Sequence, residues 1–244
     1  MNYLPEELLI GAAADLLEGA GHVAVGALSP IPAAAALLAR ARSGGRMRVS
    51  LLGSAQHNFF TDGGRELFDC AAQGRIDAFF LGGAQIDGAA NINLVGIGGY
   101  PRSEVRLAGS FGSSYLYFLV PRVILLAPQH TKRTLVERVD FVSAPGTSPP
   151  GTYRPGGPVA LLTGRCVFAF DRAAARFRLA TRHAGQTMQE ISGNTAFAYD
   201  APPDVPVTRE PDAETLALIR GEVISEIAGT YPRFAAQVLA HQFR

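Results

Sequence analysis

Three short stretches of small residues are where this chain is equipped for chemistry: Gly53-Ser54-Ala55, Gly82-Gly83-Ala84-Gln85-Ile86-Asp87, and Gly109 to Ser114. Each follows an apolar run that reads as a β-strand. In open α/β sheets, ligands bind beyond the carboxyl ends of the strands. Small residues there let a ligand approach the backbone, whose N–H groups hold an anion or a developing oxyanion. A glycine after a strand is also an ordinary turn residue, so no single loop decides the matter. In the first loop Ser54 and His57 stand three residues apart, a spacing that offers a hydroxyl nucleophile beside an imidazole base. Serine after glycine is equally a turn residue, and both readings stand.

Other polar groups carry two readings each. His130 is followed by Lys132 and Arg133, with Arg138 beyond, a set suited to phosphates or a partner chain, or else a solvated basic face. Asp62, Arg65 and Glu66 form either a charged cluster at a site mouth or the cap of the next helix. Phe59, Phe60, Phe79 and Phe80 are read as core, or as the walls of an aromatic-lined pocket. His183 is read as structural. Cys70 and Cys166, both among apolar neighbours, are read as buried thiols. Two cysteines build neither a disulfide framework nor a CxxC metal site, so no metal is expected.

These groups need a scaffold, and the composition supports one. The chain has 244 residues, 48% apolar and 18% charged, enough to bury a sizeable core and against disorder. Its net charge of +1 gives no electrostatic reason to expect nucleic acid or an anionic membrane as partner. The first residues carry Glu6, Glu7, Asp15 and Glu18 and no basic leader, so neither a signal nor a transit peptide is expected. The longest apolar stretch, Tyr115 to Pro128, is broken by Pro121 and Arg122 and is too short for a bilayer. A cytoplasmic protein is the expectation.

Periodicity predicts helices over Glu6–Gly19, Ala33–Arg42 and Gly64–Gln73, alternating with strands at His22–Gly26, Met47–Leu52 and Ile76–Leu81. That alternation argues for an α/β fold with an open, largely parallel sheet flanked by helices. Beyond Gly83, strands are predicted over 91–97, Val123–Ala127 and Val139–Ser143, with a short helix at Tyr115–Leu119. Three strand pieces between Ala160 and Thr181, split by Gly164 and Asp171, read as an antiparallel sheet edge. A Pro-rich connector at 201–211 leads to an amphipathic C-terminal helix over 212–227, capped by Asp212. No composition shift marks a boundary, so a single domain over 1–244 is expected.

Taken together, FFLGGAQIDGAANINLVGIGGYP (79–101), VRLAGSFGSS (105–114) and HTKRTLVERVDFVSAPG (130–146) resemble B-type (beta) subunits of the class I CoA-transferase family, of the glutaconate CoA-transferase kind. VAVG at 23–26 with Pro30, and PDAETLALIRGEV at 211–223, extend the resemblance over most of the chain. The resemblance implies a class I CoA-transferase fold, of the NagB/RpiA/CoA-transferase-like type. It implies an A-type partner subunit in a heterodimer or heterotetramer, and a coenzyme A thioester as substrate with no bound cofactor. Gly109, Ser110 and Gly112 would contact the thioester. Gly82, Gly83, Gln85, Asp87, Asn91 and Asn93 would shape the pocket floor, and His130 falls where the family also shows a histidine followed by basic residues.

One departure matters most. In the transferases a glutamate of the B-type half attacks the thioester, forming an anhydride and then a glutamyl-CoA. Its position falls here near Leu51 or Leu52, and no Asp or Glu occurs between Glu18 and Asp62. Three explanations are open. The reaction is a different one, as in family members that hydrolyse or decarboxylate a CoA-linked acid, including a steroid ring-opening hydrolase whose catalytic glutamate lies in the A-type half. Alternatively Ser54 or His57 substitutes. Alternatively the chain is a non-catalytic CoA-binding subunit. A stand-alone dinucleotide-binding protein would need GxGxxG at a strand-to-helix turn, and Gly96-Ile-Gly-Gly99 is too short for one.

Overall fold

The computed structural model describes residues 3–241. They form two compact units, one of the residues up to Phe80 with those from Arg209 onward, the other Leu81–Thr208. The first unit opens with α1 (Pro5–Asp15), β1 (His22–Val25), α2 (Pro30–Arg42), β2 (Arg48–Leu51), α3 (Gly63–Ala72) and β3 (Ala78–Leu81), whose last residue passes into the second unit. β1 is the centre, pairing in parallel with β2 (Val23 opposite Val49) and with β3 (Val23 opposite Ala78). All four residues of β1 and of β3 are buried, as a parallel strand covered on both faces requires. α2 begins at Pro30, whose fixed φ suits a first turn, and buries a run of alanines and leucines from Ala33 to Ala39.

The second unit holds β4 (Gln85–Ile86), β5 (Ile92–Asn93), β6 (Gly96–Ile97), β7 (Val105–Arg106), α4 (Ser113–Leu119), β8 (Arg122–Ala127), β9 (Pro158–Thr163), β10 (Cys166–Asp171), β11 (Arg176–Arg182) and α5 (Met188–Asn194). β8 and β9 pair in parallel, and β9, β10 and β11 continue as an antiparallel meander. Phe168, Phe177 and Phe197 pack ring to ring beneath that meander, with centroids 5.4–5.9 Å apart. The chain then returns to the first unit as α6 (Ala213–Leu218), a π turn at Ile219–Val223, α7 (Ile224–Ile227) and α8 (Pro232–His241). The fold is α/β, with parallel strands flanked by helices, as the alternation predicts.

The C-terminal segment predicted as one helix over 212–227 contains the π turn in its middle. Asp212 caps it, its side chain accepting from Thr215 N at 2.8 Å. Arg220, in the π turn, donates to both carboxylate oxygens of the fully buried Glu7 (2.6 and 2.9 Å), tying α1 to the C-terminal helices.

Two predicted strands are corrected. Val139–Ser143 is not a strand: its amides turn to side chains, Val139 N to Asp87 Oδ2 (3.4 Å) and Asp140 N to Gln85 Oε1 (3.0 Å). Only an isolated bridge from Ala144 to Ile92 remains. The run over 91–97 is split into β5 and β6, because Asn93 Oδ1 captures the amides of Val95 and Gly96. The apolar periodicity does not anticipate α5 or α8, although Thr187 and Glu190 form a capping box at the start of α5. Among the described residues no helix is long and apolar enough to cross a membrane.

Candidate active site

In the second unit, the residues from Gly82 to Asn93 form a small antiparallel hairpin, Gln85 opposite Asn93 and Ile86 opposite Ile92. A side chain at Gly83 would stand 2.4 Å from Ile92 Cγ2, so only glycine lets the two arms close. Asn93 is fully buried. Its Nδ2 donates to Gln85 Oε1 and to Gly96 O, both at 2.7 Å, and its Oδ1 takes the two amides already named. Gln85 Nε2 donates to Asp140 Oδ2 at 3.0 Å. Asp87 Oδ1 accepts from Ala89 N and Asn91 N, and its Oδ2 from Asn91 Nδ2. Asn91 Oδ1 accepts in turn from Gly146 N. Gln85, Asp87, Asn91 and Asn93 thus bond chiefly one another and nearby backbone. They act as a rigid support that holds backbone in place.

That support presents the next loop. Leu94 O accepts from Gly109 N at 2.9 Å and Val95 O from Leu107 N at 3.1 Å, anchoring the stretch just before Ser110. Gly109 sits at φ +96°, a conformation that suits glycine. Phe111 is held at φ +43° with its ring 87% exposed, an uncommon state for a bulky residue. The N–H groups of Ser110 and Gly112 have no acceptor among the described residues. α4 starts immediately after, and Ser114, Tyr115 and Phe118 join Pro145 and Arg154 around a cleft of about 320 Å³. Arg154 is spent on structure: its guanidinium reaches the carbonyls of Tyr117, Pro145 and Gly156 at 2.9–3.1 Å.

In the first unit, β2 ends at Leu51, whose side chain is 1% exposed. Gly53, at φ +84°, turns the chain back, and Leu51 N donates to His57 O at 2.9 Å. Ser54 Oγ accepts from the amides of Gln56 (3.3 Å) and His57 (3.1 Å), so the hydroxyl closes the turn. No Ser54 hydroxyl to imidazole bond forms among the described residues. The imidazole is engaged elsewhere: His57 Nε2 lies 2.7 Å from Glu226 Oε2, on α7, and that oxygen is 3.6 Å from Arg40 Nη1. Glu226 is the polar partner that sequence reasoning missed, and nothing in its spacing links it to residue 57. His57 also lines a cleft with Val49, Met47 and Arg40, beside the starting half of β2 rather than its carboxyl end.

The remaining candidates settle into structure. His130 is buried between Thr163 and Thr195 hydroxyls (2.8 Å each), and burial pushes its pKa down to about 4. His183 bonds Thr208 Oγ1 and Thr163 O at 2.9 Å, and burial lowers its pKa too. Burial raises the Cys166 thiol to about 12, and Cys70 is buried as well. Glu66 accepts from Thr61 and Asp62 ahead of α3, and Arg65 pairs with Asp62 at 3.0 Å, the helix-start reading of that cluster. Lys132, Arg133 and Arg138 are exposed. Phe60, Phe79 and Phe80 are buried and Phe59 is exposed. A concavity of about 680 Å³ in the first unit lies among Gly19–Gly21, Ser43 and Met47, before β1 and β2. Two of its arginines are neutralised in place, Arg42 by Asp15 and Arg209 by Asp212, so it is a crevice at the end of the strands where ligands do not usually bind.

Comparison with known proteins places this architecture. The chain is 33% identical over 153 residues to the B-type subunit of the 3-oxoadipate CoA-transferase of Pseudomonas knackmussii, covering 60% of this chain and 58% of that one. Against the corresponding subunit of the glutaconate CoA-transferase of Acidaminococcus fermentans it is 32% identical over 151 residues, 59% of this chain and 56% of the other. The chain therefore spans a little over half the length of these two relatives. It is 28% identical over 227 residues to the cholesterol ring-cleaving hydrolase IpdB subunit of Rhodococcus jostii, covering 86% of this chain and 88% of that one. Its fold is similar to that of the decarboxylase AibA/AibB, with a TM-score of 0.77, 26% identity, and coverage of 90% of this chain and 94% of the other. Residues 10–194 match the profile described as Coenzyme A transferase, about three quarters of the chain, and the chain therefore belongs to that family.

Proposed function

We propose that this chain is the B-type half of a heteromeric enzyme acting on an acyl-CoA thioester in the breakdown of a carboxylic acid, and that its reaction is hydrolytic carbon–carbon cleavage or decarboxylation rather than CoA transfer. The observation that carries this reading is Leu51. By the resemblance, the transferases' nucleophile falls near Leu51 or Leu52, both aliphatic and the first of them buried, and no carboxylate occurs between Glu18 and Asp62. The anhydride and glutamyl-CoA intermediates of transfer have no residue to form on in this chain. The similarity to a hydrolase subunit and to a decarboxylase supports the same direction.

In this reading the loop at Gly109, Ser110 and Gly112 faces the thioester. The N–H groups of Ser110 and Gly112 point donors at the carbonyl oxygen as it gains charge. The hairpin residues Gly82, Gly83, Gln85, Asp87, Asn91 and Asn93 hold that loop in register, and the A-type partner supplies the catalytic carboxylate. The CoA thioester is substrate, with no other cofactor required. Co-purification from the native host tests the assembly: a second chain of similar size in equal ratio is the expected result. Incubating that complex with acyl-CoA and free acetate or succinate tests the chemistry. Transfer of CoA to the free acid at ordinary enzymatic rates overturns it. The competing reading, a non-catalytic CoA-binding subunit, predicts that G109A and G112A weaken CoA affinity and leave turnover unchanged.

A further inference from the structure

The loop that follows β1 holds one residue in a backbone state that does not suit its type. Leu28 stands at φ +58°, where glycine is the ordinary residue, with its side chain 91% exposed. Its neighbours fix it there. Ser29 N donates to the Tyr231 hydroxyl at 3.3 Å, and Ser29 Oγ donates to Ala27 O at 3.2 Å. Pro30 opens α2 directly afterwards, and the residue before a proline is kept out of the helical region. A side chain so exposed adds nothing to the core, so folding does not explain the strain. A bulky residue kept in such a state points to function. Phe111, in the candidate thioester loop, is the other large residue in that state among the described residues.

The place of Leu28 bears on what it meets. β1 is the middle of three parallel strands, and ligands of open α/β sheets sit beyond the carboxyl ends of such strands. Val25, the last residue of β1, pairs with Leu51, the last of β2, and its carbonyl accepts from Leu52 N at 3.0 Å. The loop at 26–29 therefore leaves the sheet level with the turn that follows β2. Residues 26–32 (GALSPIP) include no charged group. They offer a ligand apolar contact, and no cation to meet a second carboxylate. We propose that Leu28 packs against the acyl group of the substrate and selects an apolar acyl chain over one that ends in a carboxylate. The inference rests on the acyl-CoA reading above and narrows its substrate class.

Calorimetric titration of the complex purified with its partner, using CoA, glutaryl-CoA and octanoyl-CoA, tests the assignment. Octanoyl-CoA is expected to bind about tenfold tighter than the other two, as burial of an acyl chain against one leucine allows. L28G and L28N both suit the left-handed backbone. They are expected to weaken octanoyl-CoA by about tenfold, to leave CoA and glutaryl-CoA unchanged, and to unfold at or above the wild-type Tm. A merely structural role moves stability and leaves the preference among the three ligands as it is. Equal affinity for the three ligands, or an octanoyl-CoA affinity unmoved by L28G and L28N, overturns the role of Leu28 alone. Loss of the partner from the variant complexes on size exclusion makes Leu28 an interface residue and overturns it too. Binding of none of the three ligands overturns the acyl-CoA reading itself, and this inference with it.

Discussion

The hairpin at Gly82–Asn93 and the loop after β2 both bury polar side chains, and they do so by opposite means. In the hairpin, Asp87 and Asn93 satisfy amides within four residues of themselves and Gln85 meets Asn93 across two adjacent strands, while further bonds from Gln85, Asp87 and Asn91 reach out to Val139, Asp140 and Gly146. The loop after β2 closes its turn locally through Ser54, but its imidazole is met by a carboxylate from α7, near the other end of the chain. The hairpin network holds through many bonds, most of them within one short segment and the rest to residues 139–146. A long-range clamp holds only while the C-terminal helices are docked. The candidate thioester loop leans on the first kind of support, and Leu51, at the end of β2, sits beside the second.

The sharpest way to break the comparison is to empty the lattice. N93A takes the acceptor from the Val95 and Gly96 amides and a donor from the Gly96 carbonyl in a buried site, leaving Gln85 Oε1 only Asp140 N, and we expect it to lower stability by about 3–4 kcal/mol in urea unfolding. A loss under about 1 kcal/mol would show that the network is not a structural keystone.

Acid acts on a third buried polar set, around His130. Its pKa is about 4 when folded, against about 6.5 when unfolded, so the unfolded chain binds more protons in between. Stability is therefore full above pH 6.5 and falls as pH drops toward 4, by about 3 kcal/mol at most from this residue. His183, also lowered, adds in the same direction. H130Q should flatten the slope of unfolding free energy against pH in that window.

Removing the clamp is the milder test. E226Q should loosen residues 52–60 by about 1–2 kcal/mol, seen as faster amide exchange confined to that loop, while the hairpin keeps its protection. Equal acceleration in both regions would mean that they do not have separate supports.

The smallest effect is expected from S54A, which removes an acceptor shared by two amides. A loss of about 1 kcal/mol, with the turnover of the assembled complex and its pH profile unchanged, fits a turn residue. A fall of about a thousandfold in turnover with the loop intact would give the hydroxyl a chemical role.

Much of this was legible in sequence because it is local. The parallel strands β1, β2 and β3 announce themselves as short apolar runs between amphipathic helices, and the Asp212 cap as an acidic residue before a periodic stretch. The glycines at 82–83 and 109 mark places where backbone approaches closely or turns left-handed. Val139–Ser143 misleads for a related reason. Its apolar alternation is that of a strand, but Gln85 and Asp87, more than fifty residues earlier, claim its amides. The Ser54–His57 spacing does not fix their contacts either: the hydroxyl takes two amides of its own turn and the imidazole lies beside Glu226.

What the sequence determined alone was the α/β alternation, the order of the small-residue loops, and the absence of a carboxylate between Glu18 and Asp62. These follow from residue type and period, which no later contact can alter. What only the tertiary structure decided was the partner of His57, the self-satisfaction of the GGAQID lattice, and the Tyr231 hydroxyl that takes the Ser29 amide beside Leu28. Each of those depends on side chains meeting across the fold, at distances set by packing rather than by spacing along the chain.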